Sequence, residues 1–214
     1  MSIQTWPYFD ENTISRVKNV LEKGKVNYWT GNEGKQFEKE FGEYCGTDFA
    51  IGLSNGSLSL SSCYLAAGIG KDDEIITTPR TFIATASSAV LLNAKPIFAD
   101  VDIISGNITA KTIEPLITKR TKAISIVHLG GWPAEIFEIK ELAKQNNLIL
   151  IEDCAQAHGA GYIKDNEFIS VGSIGDMGSW SFCQDKIMST GGEGGMVTTN
   201  NKFIHKKIWS LKDH

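Results

Sequence analysis

The chain has 214 residues, 42% of them hydrophobic and 21% charged, with a formal net charge of -4. That length supports one sizeable core, burying roughly 70% of the surface the unfolded chain exposes, with room for a small appendage. No run of adjacent basic residues is longer than two, as at Lys206 and Lys207, which argues against nucleic acid as a partner.

The first residues, MSIQTWPYFDEN, have neither a basic start nor an apolar run, and no later segment is apolar enough to span a bilayer. The expected compartment is the cytoplasm, with no membrane partner. Four cysteines, Cys45, Cys63, Cys154 and Cys183, form no C-x-x-C pair, which argues against zinc and against a disulfide framework. They read as packed thiols, with Cys183, three residues before Lys186, the one to question.

In chain order, residues 12–23 place Ile14, Val17, Val20 and Leu21 on one helical face, with Asn12 or Thr13 as N-cap and Gly24 as the stop. After a polar, aromatic loop, Phe37, Phe41 and Tyr44 recur at helical spacing and read as core. An apolar strand over Phe49–Leu53 then enters Ser54-Asn55-Gly56-Ser57 and a helix through Leu58, Leu65 and Ala66. A small-residue turn that opens a helix leaves backbone N–H groups unpaired in the positive field of the helix end, a setting that suits a phosphate. The alternative is an ordinary strand-to-helix turn capped by Ser57. No G-x-x-x-x-G-K-[ST] or G-x-G-x-x-G fingerprint follows the strand, so a P-loop or nicotinamide-binding reading fails.

Residues 74–78 predict a strand, Pro79 a turn, 83–92 a helix, and 96–100 a second strand. Alternation of strands and helices at this spacing predicts an α/β fold, a mostly parallel central sheet with helices on both faces. Phe82 falls after the first of these strands, at the end of a parallel sheet where ligands bind; its residue type alone favours core. A helix over 110–117, a buried strand over 123–129, a Gly130–Pro133 loop and a helix over 135–145 follow. The run from Leu148 to Ile151 lacks alternation, as a strand covered on both faces does. Asp153 at its end either caps a neighbouring element or faces a cationic ligand group. His128 and His158 read as packing or hydrogen-bonding residues, since neither has a partner at metal-ligand spacing.

The stretch SWSFCQDKIMSTGGEGGMVTTN, residues 179–200, organises the rest. Lys186 stands between an aromatic, apolar strand (178–182) and a glycine turn. A lysine in a shielded pocket loses its proton more readily and can attack a carbonyl, and pyridoxal phosphate is the commonest protein-bound aldehyde to use one. Such a site also needs an acid for the pyridine nitrogen and donors for the phosphate. If the chain returns to the same sheet edge, Asp153 and Lys186 could hold opposite ends of one ring. The glycine run precedes a strand (196–199), so it reads as a close-approach turn with Glu193 solvated or bonded to backbone. The last helix places Phe203, Ile204, Ile208 and Leu211 on one face and meets no stop signal, so the pattern predicts a longer natural chain.

Taken together, SNGSLSL, KDDEIITTPRTF, KPIFADVD, IEDCAQAHGA and SFCQDKIMSTGGEGG closely resemble the pyridoxal-phosphate-dependent sugar aminotransferases of the DegT/DnrJ/StrS family, which have the aspartate aminotransferase type of fold. The resemblance implies that Lys186 forms the internal aldimine, that Asp153 bonds the pyridine nitrogen and that Gln156 reaches the ring hydroxyl or face. It further implies that Phe82 stacks on the ring, reversing the core reading, and that Gly56, Ser57 and Ser181 bind the phosphate. The implied reaction moves an amino group from an amino acid, usually glutamate, to a nucleotide-linked keto sugar, in a homodimer. On the same basis residues 1–30 form an N-terminal helical arm and 31–214 the large, cofactor-binding domain, with the small domain missing. The alternative is a cofactor-binding or interaction module without turnover. Two positions depart from many relatives, Cys183 and Asp185; adjacent side chains on a strand face opposite ways, so Asp185 need not touch Lys186.

Overall fold

A computed structural model describes residues 6–213. Helix α1 (Glu11–Lys23) starts one residue before the expected span, because Asp10 rather than Asn12 or Thr13 is its cap, accepting from the Thr13 N–H at 2.7 Å. Gly24 ends it with φ 67°, as expected of a helix stop. None of its residues is buried. Helix α2 (Glu33–Cys45) buries Phe41 and Cys45, and Phe37 packs beside them, but Tyr44 is exposed, so the expected aromatic stripe is core only in part.

The remaining elements are β1 (Phe49–Leu53), α3 (Gly56–Ala66), β2 (Glu74–Thr77), α4 (Ala84–Leu91), β3 (Lys95–Phe98), α5 (Ala110–Ile113), β4 (Thr121–Val127), α6 (Ile136–Gln145) and β5 (Ile149–Asp153). They are followed by β6 (Gly161–Lys164), β7 (Glu167–Ser170), β8 (Met177–Ser181), β9 (Gly195–Thr199) and α7 (Lys202–Lys212). The predicted helix over 110–117 is shorter, tightening into a 3-10 turn at Glu114–Leu116 where Pro115 sits at its start.

Seven strands form one sheet in the order β1-β9-β8-β5-β4-β2-β3, and β9 runs antiparallel to both of its neighbours. From β8 to β3 every pairing is parallel. The expected α/β class is the observed one. Successive residues of a strand feed opposite faces: Ile75, Ala123 and Ile151 join Leu60, Tyr64 and Ile208 on one side, while Ile76, Ile124 and Leu150 join Ile136, Ile139 and Leu142 on the other. At about 25 cal/mol per Å², each fully buried isoleucine or leucine among these stabilises the fold by roughly 1.5–3 kcal/mol.

The sequence reading passed over residues 161–170, which form a separate hairpin of β6 and β7. Its turn is Asp165-Asn166, both with positive φ, the conformation that tight hairpins require and that Asn and Asp tolerate. In α7, Ile208 is buried and Ile204 packs against the core, whereas Phe203 and Leu211 are exposed. Cys45, Cys63 and Cys154 are buried thiols as expected, and Cys183 is half-buried. Among the described residues no helix is long and apolar enough to cross a membrane.

Candidate active site

The carboxyl ends of β2, β4, β5 and β8 open on one cleft of about 650 Å³. Its walls include all seven residues singled out in the sequence: Gly56, Ser57, Phe82, Asp153, Gln156, Ser181 and Lys186. Parallel strands end on the same side of a sheet, so residues distant in sequence converge there without long-range guidance.

At one end of the cleft lies the first turn of α3. Asn55, not Ser57, is its cap: the side chain accepts from the Leu58 N–H at 2.9 Å, and its carbonyl accepts from Ser59 N–H at 3.1 Å. The N–H groups of Gly56 and Ser57, which have no carbonyl one turn earlier to bond, remain for a ligand. Gly56 must be glycine for a steric reason, since a Cβ there would lie 2.7 Å from the Cβ of Ser181. That close approach brings the Ser181 hydroxyl beside the helix end, making a concave set of neutral donors suited to a phosphate.

At the other end stands Asp153, the last residue of β5, in register with Val127 of β4 and Ser179 of β8. It is 4% exposed. Burial pushes its carboxyl above the usual range, opposed by the hydroxyl of Thr85, the N–H of Ala155 and, at longer range, His128 and Lys186. Phe82, in the loop between β2 and α4, is 69% exposed, so the expectation from residue type that it is core does not hold. Its ring is available to a ligand. Gln156 is oriented by the Gly130 N–H, which donates to its Oε1 at 2.8 Å. Its amide nitrogen is left as the group that can donate into the cleft.

Lys186 lies in the irregular segment between β8 and β9, not on a strand, and its side chain is 19% exposed. Strand alternation therefore does not separate the two residues, and the Asp185 Oδ2 is 3.0 Å from the lysine Nζ. That bond, and then one from the Cys183 thiol, lower the Asp185 carboxyl. The thiol also donates to Glu193 Oε1 at 3.5 Å, and these carboxylates raise Cys183 above its ordinary value. Glu193 is exposed, as expected, but its partner is a thiol rather than backbone.

Sequence reading missed Asn55, Thr81, Thr85 and Gln184 in the walls. The available signal for the threonines was their spacing of one helical turn, i and i+4, on either side of Phe82. On the far face of β5, His128, Glu152 and Cys154 bring candidate ligand atoms within 4.8 Å of one another. These groups are engaged internally. His128 Nδ1 accepts from the Ala134 N–H at 3.1 Å, so its hydrogen is on Nε2, 3.0 Å from Glu152. The glutamate also takes the N–H groups of Gly172, Ile174 and Gly175 at 2.8, 2.9 and 2.6 Å. His128 thus has the hydrogen-bonding role expected of it.

The cleft therefore joins an anion cradle, an exposed aromatic face, a buried acid and a primary amine. A model of the DegT/DnrJ/EryC1/StrS aminotransferase family matches residues 7–214. The chain belongs to this family. It is 41% identical over 187 residues to the GDP-perosamine synthase of Caulobacter vibrioides, which covers 86% of this chain and 49% of that protein. It is 40% identical over 208 residues to a UDP-N-acetyl-3-dehydro-alpha-D-glucosamine 3-aminotransferase of Acidithiobacillus ferrooxidans, covering 97% and 54%. An aminotransferase from Psychrobacter cryohalolentis superposes with a TM-score of 0.96 at 52% identity, over 100% of this chain and 53% of that one. The ntda protein of Bacillus subtilis, solved with PMP bound, superposes at 0.83 with 29% identity, over 91% and 42%. The chain spans about half the length of the curated relatives it matches.

Proposed function

We propose that this chain is the cofactor-binding part of a pyridoxal-phosphate-dependent aminotransferase that transfers the amino group of an amino acid, L-glutamate in the first instance, to a nucleotide-linked keto sugar. The observation that carries this reading is the convergence of Lys186, Asp153 and the Gly56–Ser57–Ser181 cradle on one cleft. The printed names of the relatives, two of them referring to GDP- and UDP-linked sugars, support the substrate class. We also read the enzyme as a homodimer, with residues 1–30 as an arm and 31–214 as the large domain. Four free cysteines, three of them buried, support a reducing compartment, the cytoplasm.

The residues fit the cofactor. A buried carboxylate with no ion pair within 4 Å among the described residues suits a protonated pyridine nitrogen, and a glycine forced by close packing leaves room for a phosphate at the helix end. Once bound, pyridoxal phosphate supplies an aldehyde for amines and a ring that takes up the electrons of a deprotonated α-carbon. The chain supplies the rest. Gly56, Ser57 and Ser181 would donate to the phosphate, Phe82 would cover one ring face, Asp153 would accept from the pyridine N–H, and the Gln156 amide nitrogen would donate to the ring oxygen. Lys186 would hold the aldehyde end of the cofactor, and its free Nζ could take a proton from the substrate's α-carbon and give it back, as base and then acid.

The test is an absorbance titration of the full-length protein with pyridoxal phosphate, followed by L-glutamate. The expected result is a visible band of lysine-bound cofactor that glutamate converts to the amine form, and no such band in Lys186→Ala. An unchanged spectrum in that variant would sink the assignment. A band that full-length protein forms but glutamate leaves unaltered would favour a binding module without turnover.

A further inference from the structure

Behind the floor of the cleft, Asp153 is held by a short line of hydroxyls. Thr85 Oγ1 donates to Asp153 Oδ2 at 2.7 Å, and Thr81 Oγ1 lies 2.7 Å from Thr85 Oγ1. The other carboxylate oxygen takes the Ala155 N–H at 3.2 Å. Thr85 is buried, while Thr81 is half-buried and lines the cleft. The first turn of α4 fixes their aim: the Thr85 N–H donates to the Phe82 carbonyl at 3.2 Å, and the Thr85 carbonyl accepts from the buried Tyr64 hydroxyl at 2.9 Å. One turn of chain therefore presents Phe82 to the cleft and Thr85 to the acid.

Hydrogen counting gives this line a direction. An ionised carboxylate only accepts, and a hydroxyl has one hydrogen to give. With Asp153 ionised, Thr85 spends its hydrogen on the acid and must accept from Thr81, which turns lone pairs toward the cleft. A protonated Asp153 would allow the order to reverse. Other titratable groups that face Asp153 are His128, Lys186, Cys63, Tyr64 and Cys154, the last three held protonated by burial.

We propose that Thr85 is the positioning residue of this site, its hydroxyl ordered by Thr81 and holding Asp153 as an ionised acceptor for the ring nitrogen of the ligand. The identity of that ligand rests on the function proposed above. The hold of Thr85 on Asp153 does not, and the two can be tested apart.

Thr85→Val keeps the side chain's shape without the hydroxyl, and Thr85→Ser restores the hydroxyl. In full-length, cofactor-free protein, carboxylate NMR is expected to show Asp153 titrating higher in Thr85→Val than in wild type, by about one pH unit, with Thr85→Ser near wild type. Pyridoxal phosphate should bind Thr85→Val about tenfold or more weakly, as expected on loss of a hydrogen bond to a charged group. The deaza analogue, with C–H in place of the ring nitrogen, should bind the two proteins equally. An Asp153 titration that ignores the Val substitution overturns the proposal, and so does equal weakening of both ligands, which marks a packing defect. If Asp153 shifts in Thr85→Val as expected while wild-type protein binds no pyridoxal phosphate, the role of Thr85 is upheld and the proposed function is overturned instead.

Discussion

Helix α1 and strand β5 show how differently one hydrophobic signal can be spent. Ile14, Val17 and Leu21 recur at helical spacing yet are all exposed, and the helix buries nothing. Leu150 and Ile151 sit under helices on opposite faces of the sheet and are fully enclosed, carrying Asp153 to the cleft. Periodicity says which residues share a face, but not what covers it. The sheet covers its own strands, and the described residues do not cover the apolar face of α1.

The sharpest way to break that contrast is to truncate both regions. Ile151→Ala is expected to cost about 2–5 kcal/mol, the range for a large buried residue whose cavity cannot collapse, measured by denaturant unfolding. Acid should act on the same side of the contrast. His158 is packed among Phe41, Trp180 and Phe182, with no well-formed hydrogen bond to either ring nitrogen among the described residues, and burial, opposed weakly by the Ser181 backbone, pulls it down to about 4 from an ordinary 6.5. Because the unfolded chain takes up this proton first, the stability it contributes is intact above about pH 6.5. It is lost as pH falls toward 4, by on the order of 3 kcal/mol. His158→Phe should flatten that part of the stability profile; an unaltered profile would contradict the assignment. Asp153, whose carboxyl is raised, works with the opposite sign and contributes most at low pH.

Smaller effects sharpen the comparison. Gly56→Ala places a methyl group 2.7 Å from Ser181 and is expected to cost about 1–3 kcal/mol while weakening phosphate binding, both accessible by calorimetry. Leu21→Ala on α1 should change the stability of this chain by no more than about 0.5 kcal/mol, and a loss comparable to that of Ile151→Ala would show that the helix is held.

Where local chemistry decided the outcome, the sequence was readable. The strand and helix order and the mostly parallel sheet follow from alternation of apolar runs, and a meeting of Asp153 with Lys186 follows from parallel strands ending on one side; Gly56, Phe82 and Ser181 were added by the family resemblance. Contacts set by tertiary geometry were not readable. Asp185 meets Lys186 because the chain between β8 and β9 is irregular, which removes the alternation that would have separated them. Thr85 looks like any small polar residue near a helix start until β5 places Asp153 beside it. The β6–β7 hairpin was missed because its signal is two left-handed residues rather than a glycine. Tyr44 continues the α2 stripe but falls past the edge of what the core covers.

The central claim, that Lys186 is the amine of a pyridoxal phosphate site, is tested most directly by chemical trapping. Full-length protein would be incubated with pyridoxal phosphate, reduced with borohydride, digested and mapped by mass spectrometry. The account predicts the reduced cofactor on the peptide carrying Lys186 and its loss in Lys186→Ala. Cofactor fixed to another lysine, or to none while the protein remains folded, would contradict it.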